Sequence, residues 1–259
     1  MFRSVRAASQ RAVCVQNFRS AHAAAGLYLG DYDDRFMPAN YKPVPPRFSS
    51  NDRTWVQLLL PYTKNFAIFR CPSDYSIRPA PETTFDQDLV PGDTYSRYYS
   101  ASLRANLGYN FMYLSPAVRV GNNWVTQPRL QSQVNDVSRT LLFADSVWNR
   151  TDRGMPEGGG SWIIVPPCRY ADQNGVDSFK VAGSGEEIYT ASYFGWDTTS
   201  QSGPKYGGAW PWHNGRLNVL MLGGNASPLV PDKLSDGCAL GNRWSGYINN
   251  SGSYMWDLN

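Results

Sequence analysis

The stretch WPWHNGRLNVLMLGGNASPL, Trp210 to Leu229, sets a histidine between a pair of tryptophans and an Asn-Gly dipeptide, then runs through apolar residues to a glycine pair. Asn214-Gly215 is a strong short-range signal for a two-residue hairpin turn, because both central positions of that turn need positive φ. The run 217–222 reads as the strand that follows. His213 then has two readings. It is an acid or base beside an aromatic platform, or it is a donor that holds the end of a sheet together. That choice decides whether the chain is an enzyme.

Composition narrows the field. A chain of 259 residues can bury a substantial core. Aromatic residues make up 14% and charged residues only 17%, so the surface is built from Asn, Ser, Tyr, Gly and Thr more than from charge. A net charge of +3, carried by scattered basic residues, argues against a nucleic-acid partner. Cys14, Cys71, Cys168 and Cys238 form no CxxC, and His22 and His213 are the only histidines, which removes zinc ribbons and thioredoxin-type motifs. An even cysteine count with low charge reads as two disulfides in an exported protein rather than as buried thiols. The sequence holds no apolar run long enough to span a bilayer. Residues 1–12 are basic but lack the apolar centre of a signal peptide, at odds with an exported body.

The clearest element is a helix over 2–29, rich in Ala, Arg and Gln and free of proline. Val13 or Cys14, Phe18, Ala21 or His22, Ala25 and Leu29 recur at spacings of three and four, an apolar stripe that should face a core. Gly30 is the expected stop. A Pro-rich loop over 37–50 leads to a short helix over 55–62, capped by Asn51 or Asp52 and ended by Pro61. Strands are expected over 108–113, 140–144, 162–165, 188–194 and 217–222, with glycine-rich loops over 153–160 and 198–208. The pattern is α+β: a long N-terminal amphipathic helix (1–30) on an antiparallel sheet with long decorated loops (31–259).

Three segments carry the most information: Cys14-Val-Gln-Asn17-Phe18 in the helix, Phe69-Arg-Cys71-Pro72-Ser73-Asp74 after the second helix, and Thr140-Leu-Leu-Phe-Ala-Asp145-Ser with the His213 stretch. In this order they resemble the bacterial type IV pilin-like proteins, the prepilin-type group with a C-terminal His-x9-Asp-Gly signature, related to pseudopilins of type II secretion. The resemblance covers about residues 5–230. It implies a pilin-like fold, an exported location at the cell surface, outside the cell or in the periplasm, and a structural rather than enzymatic role. It also implies other pilin-like subunits as partners, with Val13, Phe18, Ala25 and Leu29 on the helix that packs into a filament. Such proteins begin with a hydrophobic half-helix, the only membrane contact expected, and this chain starts where that half would end. Met1 therefore reads as an internal or misassigned start. The signature aspartate is also missing, because Gly223-Gly224 stands where Asp-Gly is expected.

A His–Asp acid/base pair across that signature thus lacks its second member. The remaining reading is that His213 donates to Asp145 or to a backbone carbonyl while Asn214-Gly215 turns the chain. No cofactor is expected. Calcium is the one ion for which acidic loops, Asp31-Asp33-Asp34 and Asp232-Asp236, leave an opening, although the spacing is not that of an EF-hand. Trp196, Trp210, Trp212 and Trp244 suit either core packing or a sugar-binding platform, and the second use defines the alternative function, an exported carbohydrate- or surface-binding module. Four cysteines allow three pairings. Cys14 and Cys71 share the N-terminal half, and Cys168 at a strand end is placed to hold the tail that carries Cys238, so the expected bridges are Cys14–Cys71 and Cys168–Cys238.

Overall fold

The computed structural model describes residues 2–41, 53–77, 99, 101–120, 123–178, 195–197, 205–241 and 245–257. The strand expected over 188–194, the caps Asn51 and Asp52, and Trp244 lie outside these residues. Helix α1 (Phe2–Asp31) is one continuous element. Its apolar stripe selects among the candidates that spacing left open: Cys14, Phe18, Ala21, Ala25 and Leu29 are buried, whereas Val13 is 47% exposed. Gly30 does not stop the helix. The chain leaves it at Asp33 and Asp34, both at positive φ (52° and 57°), with the Asp34 N–H returning to Leu29 O at 2.9 Å. Aspartate is among the few residues that tolerate this conformation, so the DYDD run closes the helix.

Helix α2 (Trp55–Thr63) begins after Thr54, whose backbone N–H donates to the Gln57 side chain at 2.8 Å. It runs through Pro61 rather than stopping before it, because Trp55, Val56, Leu59 and Leu60 are all buried and tertiary packing outweighs the local cost of the ring. Lys64, at φ 50°, ends it.

The main sheet has four antiparallel strands. In chain order they are β1 (Leu107–Tyr109), β2 (Leu141–Asp145), β4 (Leu217–Met221) and β5 (Ala226–Leu229). Their spatial order is β5-β4-β2-β1. Val219 faces Ala144 and Ser227 on its two neighbours, and Gly108 faces Ala144 from the other side. The expected strand over 108–113 is cut at Asn110, whose side-chain amide donates to Leu141 O at 3.0 Å and Trp256 O at 2.8 Å. A short helix, α3 (Phe111–Leu114), follows instead. Residues 162–165 are buried but join the sheet only through a parallel bridge from Ile163 to Tyr109, and Pro166-Pro167 bars any extension of that pairing. A smaller sheet joins β3 (Cys168–Tyr170), β6 (Cys238–Ala239) and β7 (Gly246–Ile248), with β7 in the middle.

Helix α1 lies against β4, β5, α2 and the 3₁₀ turn Phe66–Phe69. Trp55 sits at the centre of the core. Its ring stacks on Phe143 at 4.7 Å and meets Phe69 edge-on, while its indole N–H donates to Trp162 O at 2.6 Å. Phe18, Ala25 and Leu29 belong to the same core. Residues 14–29 are therefore part of the head rather than a separate unit, and these three side chains are spent on packing within the chain. They are not a surface for a neighbour.

Candidate functional site

Both expected disulfides are present: Cys14 bridges to Cys71, and Cys168 to Cys238, with Cα separations of 5.5 and 5.7 Å. The first lies in a small buried cluster outside the main core, with Val147, Trp212 and the half-buried Trp210. The three informative segments converge here. Asn17, one helical turn beyond Cys14, donates from its side chain to Arg70 O at 2.9 Å, and Gln10 donates to Pro72 O at 2.7 Å. The Cys71 N–H donates to the Asn106 side chain at 2.9 Å, and the Asn106 amide in turn donates to Asp74 at 2.8 Å. Spacing within the helix places Cys14 and Asn17 on one face, and together they grip the FRCPSD turn from two points.

His213 reaches this cluster from the other side. Asn214 and Gly215 adopt φ of 52° and 78°, as the hairpin turn requires, and His213 and Arg216 exchange backbone hydrogen bonds at 2.9 and 3.1 Å. The turn delivers the imidazole to the end of β2, where its Nε2 lies 3.3 Å from Asp145 Oδ2 and 3.6 Å from Cys71 Sγ. Asp145 is wholly buried. Its Oδ2 also accepts the Asn218 backbone N–H at 2.6 Å, while its Oδ1 and His213 Nδ1 have no hydrogen-bond partner. Burial pushes the Asp145 carboxyl above the usual carboxylate range, against the opposing pull of His213 and the Asn218 N–H. Next in the chain, the Val147 N–H bonds Gly208 O, and Trp212 donates its indole N–H to Ser146 O at 2.9 Å.

This geometry limits the chemistry. A relay from carboxylate through imidazole to a nucleophile needs its two partners on opposite ring nitrogens. Here Asp145 and Cys71 both address Nε2, and the sulfur is tied in a disulfide. The arrangement is a clamp, joining α1, the FRCPSD turn, β2 and the hairpin into β4.

Gly223 and Gly224 lie elsewhere. Five strand residues separate them from the hairpin, about 16 Å of extended chain. Even an aspartate at 223 would not meet His213, so the signature positions mark the two ends of β4 rather than one reacting pair. Gly224 has φ 86°, and an added Cβ there would meet His22 Cε1 at 3.1 Å. The His22 Nε2–H donates to Leu222 O at 2.8 Å, which pins the β4–β5 turn to α1. The helical pattern left His22 as an alternative to Ala21 on the stripe and could not reveal this contact, whose partner lies 200 residues away.

The other candidates separate clearly. Trp196 and Trp212 are buried, each with its indole N–H bonded to a backbone carbonyl, so they are core rather than platform. Asp31 accepts the Tyr62 hydroxyl at 2.8 Å, and Asp236 pairs with Lys233 at 3.0 Å. Among the described residues, the one group of three His, Cys or acidic side chains with converging donor atoms is Cys14, Cys71 and His213.

Compared with protein-family models, curated proteins and solved structures, the chain matches none.

Proposed function

We propose that the chain is a structural subunit of a type IV pilus-like or type II secretion pseudopilus-like filament, with its head at the cell surface or in the periplasm. The observation that carries this is the division of α1. Over residues 14–29 the helix is built into the head, whereas over 4–13 no side chain is buried. Val5 and Val13 are 64% and 47% exposed on that stretch. A regular helix of ten residues is about 15 Å long, and a segment of that length with so little support from its own head is suited to lie against neighbouring helices. The surface it offers differs from the one the apolar stripe suggested. Val13 stays in it, while Phe18, Ala25 and Leu29 do not. Two disulfides are compatible with an oxidising, exported setting, and no helix among the described residues is long and apolar enough to cross a membrane.

The test is photo-crosslinking in the cell that makes the protein, with a photoreactive residue at Val5 or Ser9 and, as a control, at the exposed head residue Val176. Adducts of the chain with itself or with another helical subunit are expected from Val5 and Ser9 and not from Val176. Monomer alone from both helix positions would overturn the proposal.

A further inference from the structure

The clamp around Cys14, Cys71, His213 and Asp145 also gathers side chains that ligate metals. The sulfurs of Cys14 and Cys71 and the Nε2 of His213 all lie within 4.8 Å of one another and all three residues are buried. The Nε2 stands 3.6 Å from Cys71 Sγ and 3.3 Å from Asp145 Oδ2. Four donors around a tetrahedral zinc ion, with Zn–S near 2.3 Å and Zn–N or Zn–O near 2.0–2.1 Å, stand about 3.3–3.8 Å apart. Two of the required separations are thus in place while the disulfide is closed, and Asp145, which lies outside the group gathered within 4.8 Å, has to close on the sulfurs.

We infer that, before the Cys14–Cys71 disulfide closes, these two thiolates, His213 Nε2 and Asp145 Oδ2 hold one Zn²⁺ ion, and that the metal-bound and disulfide-bonded forms are alternative states of the same site. The ion takes the place of the proton that Nε2 shares between Cys71 and Asp145. Three anionic donors and a neutral imidazole leave the site one negative charge, offset by the Asn218 N–H on Asp145. The Cys168–Cys238 pair has no histidine or carboxylate gathered with it among the described residues and supplies an internal control. This inference is independent of the filament role.

Because the site is buried, the whole chain is unfolded in guanidinium with a phosphine reductant. The phosphine takes the oxygen of one water molecule to become its oxide, and the disulfide gains two electrons and two protons to give two thiols. After removal of denaturant and phosphine the chain is refolded without oxygen, with or without Co²⁺ as a spectroscopic substitute for Zn²⁺. Binding releases both thiol protons to buffer. One equivalent of Co²⁺ is expected, with sulfur-to-cobalt charge-transfer absorption in the near ultraviolet, absent from the oxidised protein. Cys168→Ser/Cys238→Ser keeps the band and Cys14→Ser/Cys71→Ser loses it. His213→Asn weakens binding by at least about tenfold, the lower end of what loss of an outer-shell partner costs. Should the reduced chain fail to fold alone, cobalt should restore its near-ultraviolet circular dichroism. A reduced chain that takes up no cobalt, folded or not, overturns the inference. So does a band that survives in Cys14→Ser/Cys71→Ser. Zn²⁺ should bleach the cobalt spectrum stoichiometrically, and Zn²⁺ that fails to displace Co²⁺ would overturn the assignment to zinc.

Discussion

The two disulfides close loops of similar size, with sequence separations of 57 and 70 residues, and the chain-entropy argument assigns each about 4 kcal/mol. Their surroundings differ. Cys168–Cys238 packs at the edge of the main core and holds a tail that is also held in other ways: Trp256 is fully buried and donates to Leu234 O at 2.7 Å, Leu141 N–H bonds Met255 O at 2.7 Å, and Asn110 bonds Trp256 O. The tail therefore has an apolar anchor of its own besides the bridge. Cys14–Cys71 sits in a small cluster of its own, against a buried carboxylate and imidazole, where polar groups have few substitutes. Two cross-links of nearly equal entropic worth should thus have unequal consequences. Around Cys14–Cys71 the same segments are also joined by hydrogen bonds of Gln10 and Asn17, exposed or half-buried, whereas a fully buried tryptophan holds the tail.

The largest effect is expected from Cys14→Ser/Cys71→Ser, which should cost more than about 4 kcal/mol, since it loses the loop constraint and sets two hydroxyls in an apolar cluster. Denaturant unfolding measures this, and a smaller loss than for Cys168→Ser/Cys238→Ser would reverse the ranking.

His213→Ala removes one member of a buried pair and leaves Asp145 with the Asn218 N–H, a loss of about 3 kcal/mol near neutral pH. The pH dependence follows from sign. The folded carboxyl of Asp145 lies above its ordinary value, so its ionisation destabilises the fold. That contribution is absent at acid pH, grows as pH rises through the unfolded value, and levels off above the folded one. Without His213 to favour the charged form the folded value rises further, so the gap between variant and wild type should widen from pH 4 to pH 7. A gap that narrows over this range would mean that His213 does not support the carboxylate.

For Cys168→Ser/Cys238→Ser the expected loss is about 2 kcal/mol, below the entropic figure because the tail stays docked. Hydrogen exchange sharpens the point: the Tyr254 N–H and the sheet amide of Leu141 should keep their protection, and their early exchange would show that the disulfide alone holds the tail.

Val13→Ser is expected to change stability by less than about 0.5 kcal/mol, because Val13 points outward beside a buried Cys14. Thermal unfolding that drops by many degrees would place Val13 inside and shift the register of α1.

Local signals account for much of what could be read in advance. The period of α1, the apolar runs that became β2 and β4, and the Asn214-Gly215 turn depend on residues within a few positions of one another, so they are legible without the fold. The cysteine pairing was legible too, since one partner lay on a core-facing stripe and another at a strand end. Contacts between residues far apart in the chain set the rest. Trp55 and Leu60 carry α2 through Pro61 because burial outweighs a missing donor. Asn110 breaks β1 because Leu141 and Trp256, 31 and 146 residues away, offer carbonyls to its side chain. Among the acceptors open to His213, Asp145 takes the contact, and Leu222 takes that of His22. Hydrogen bonds and burial act at contact range in space, whatever the distance along the chain, so only the folded arrangement of β2, β4 and α1 could name those partners.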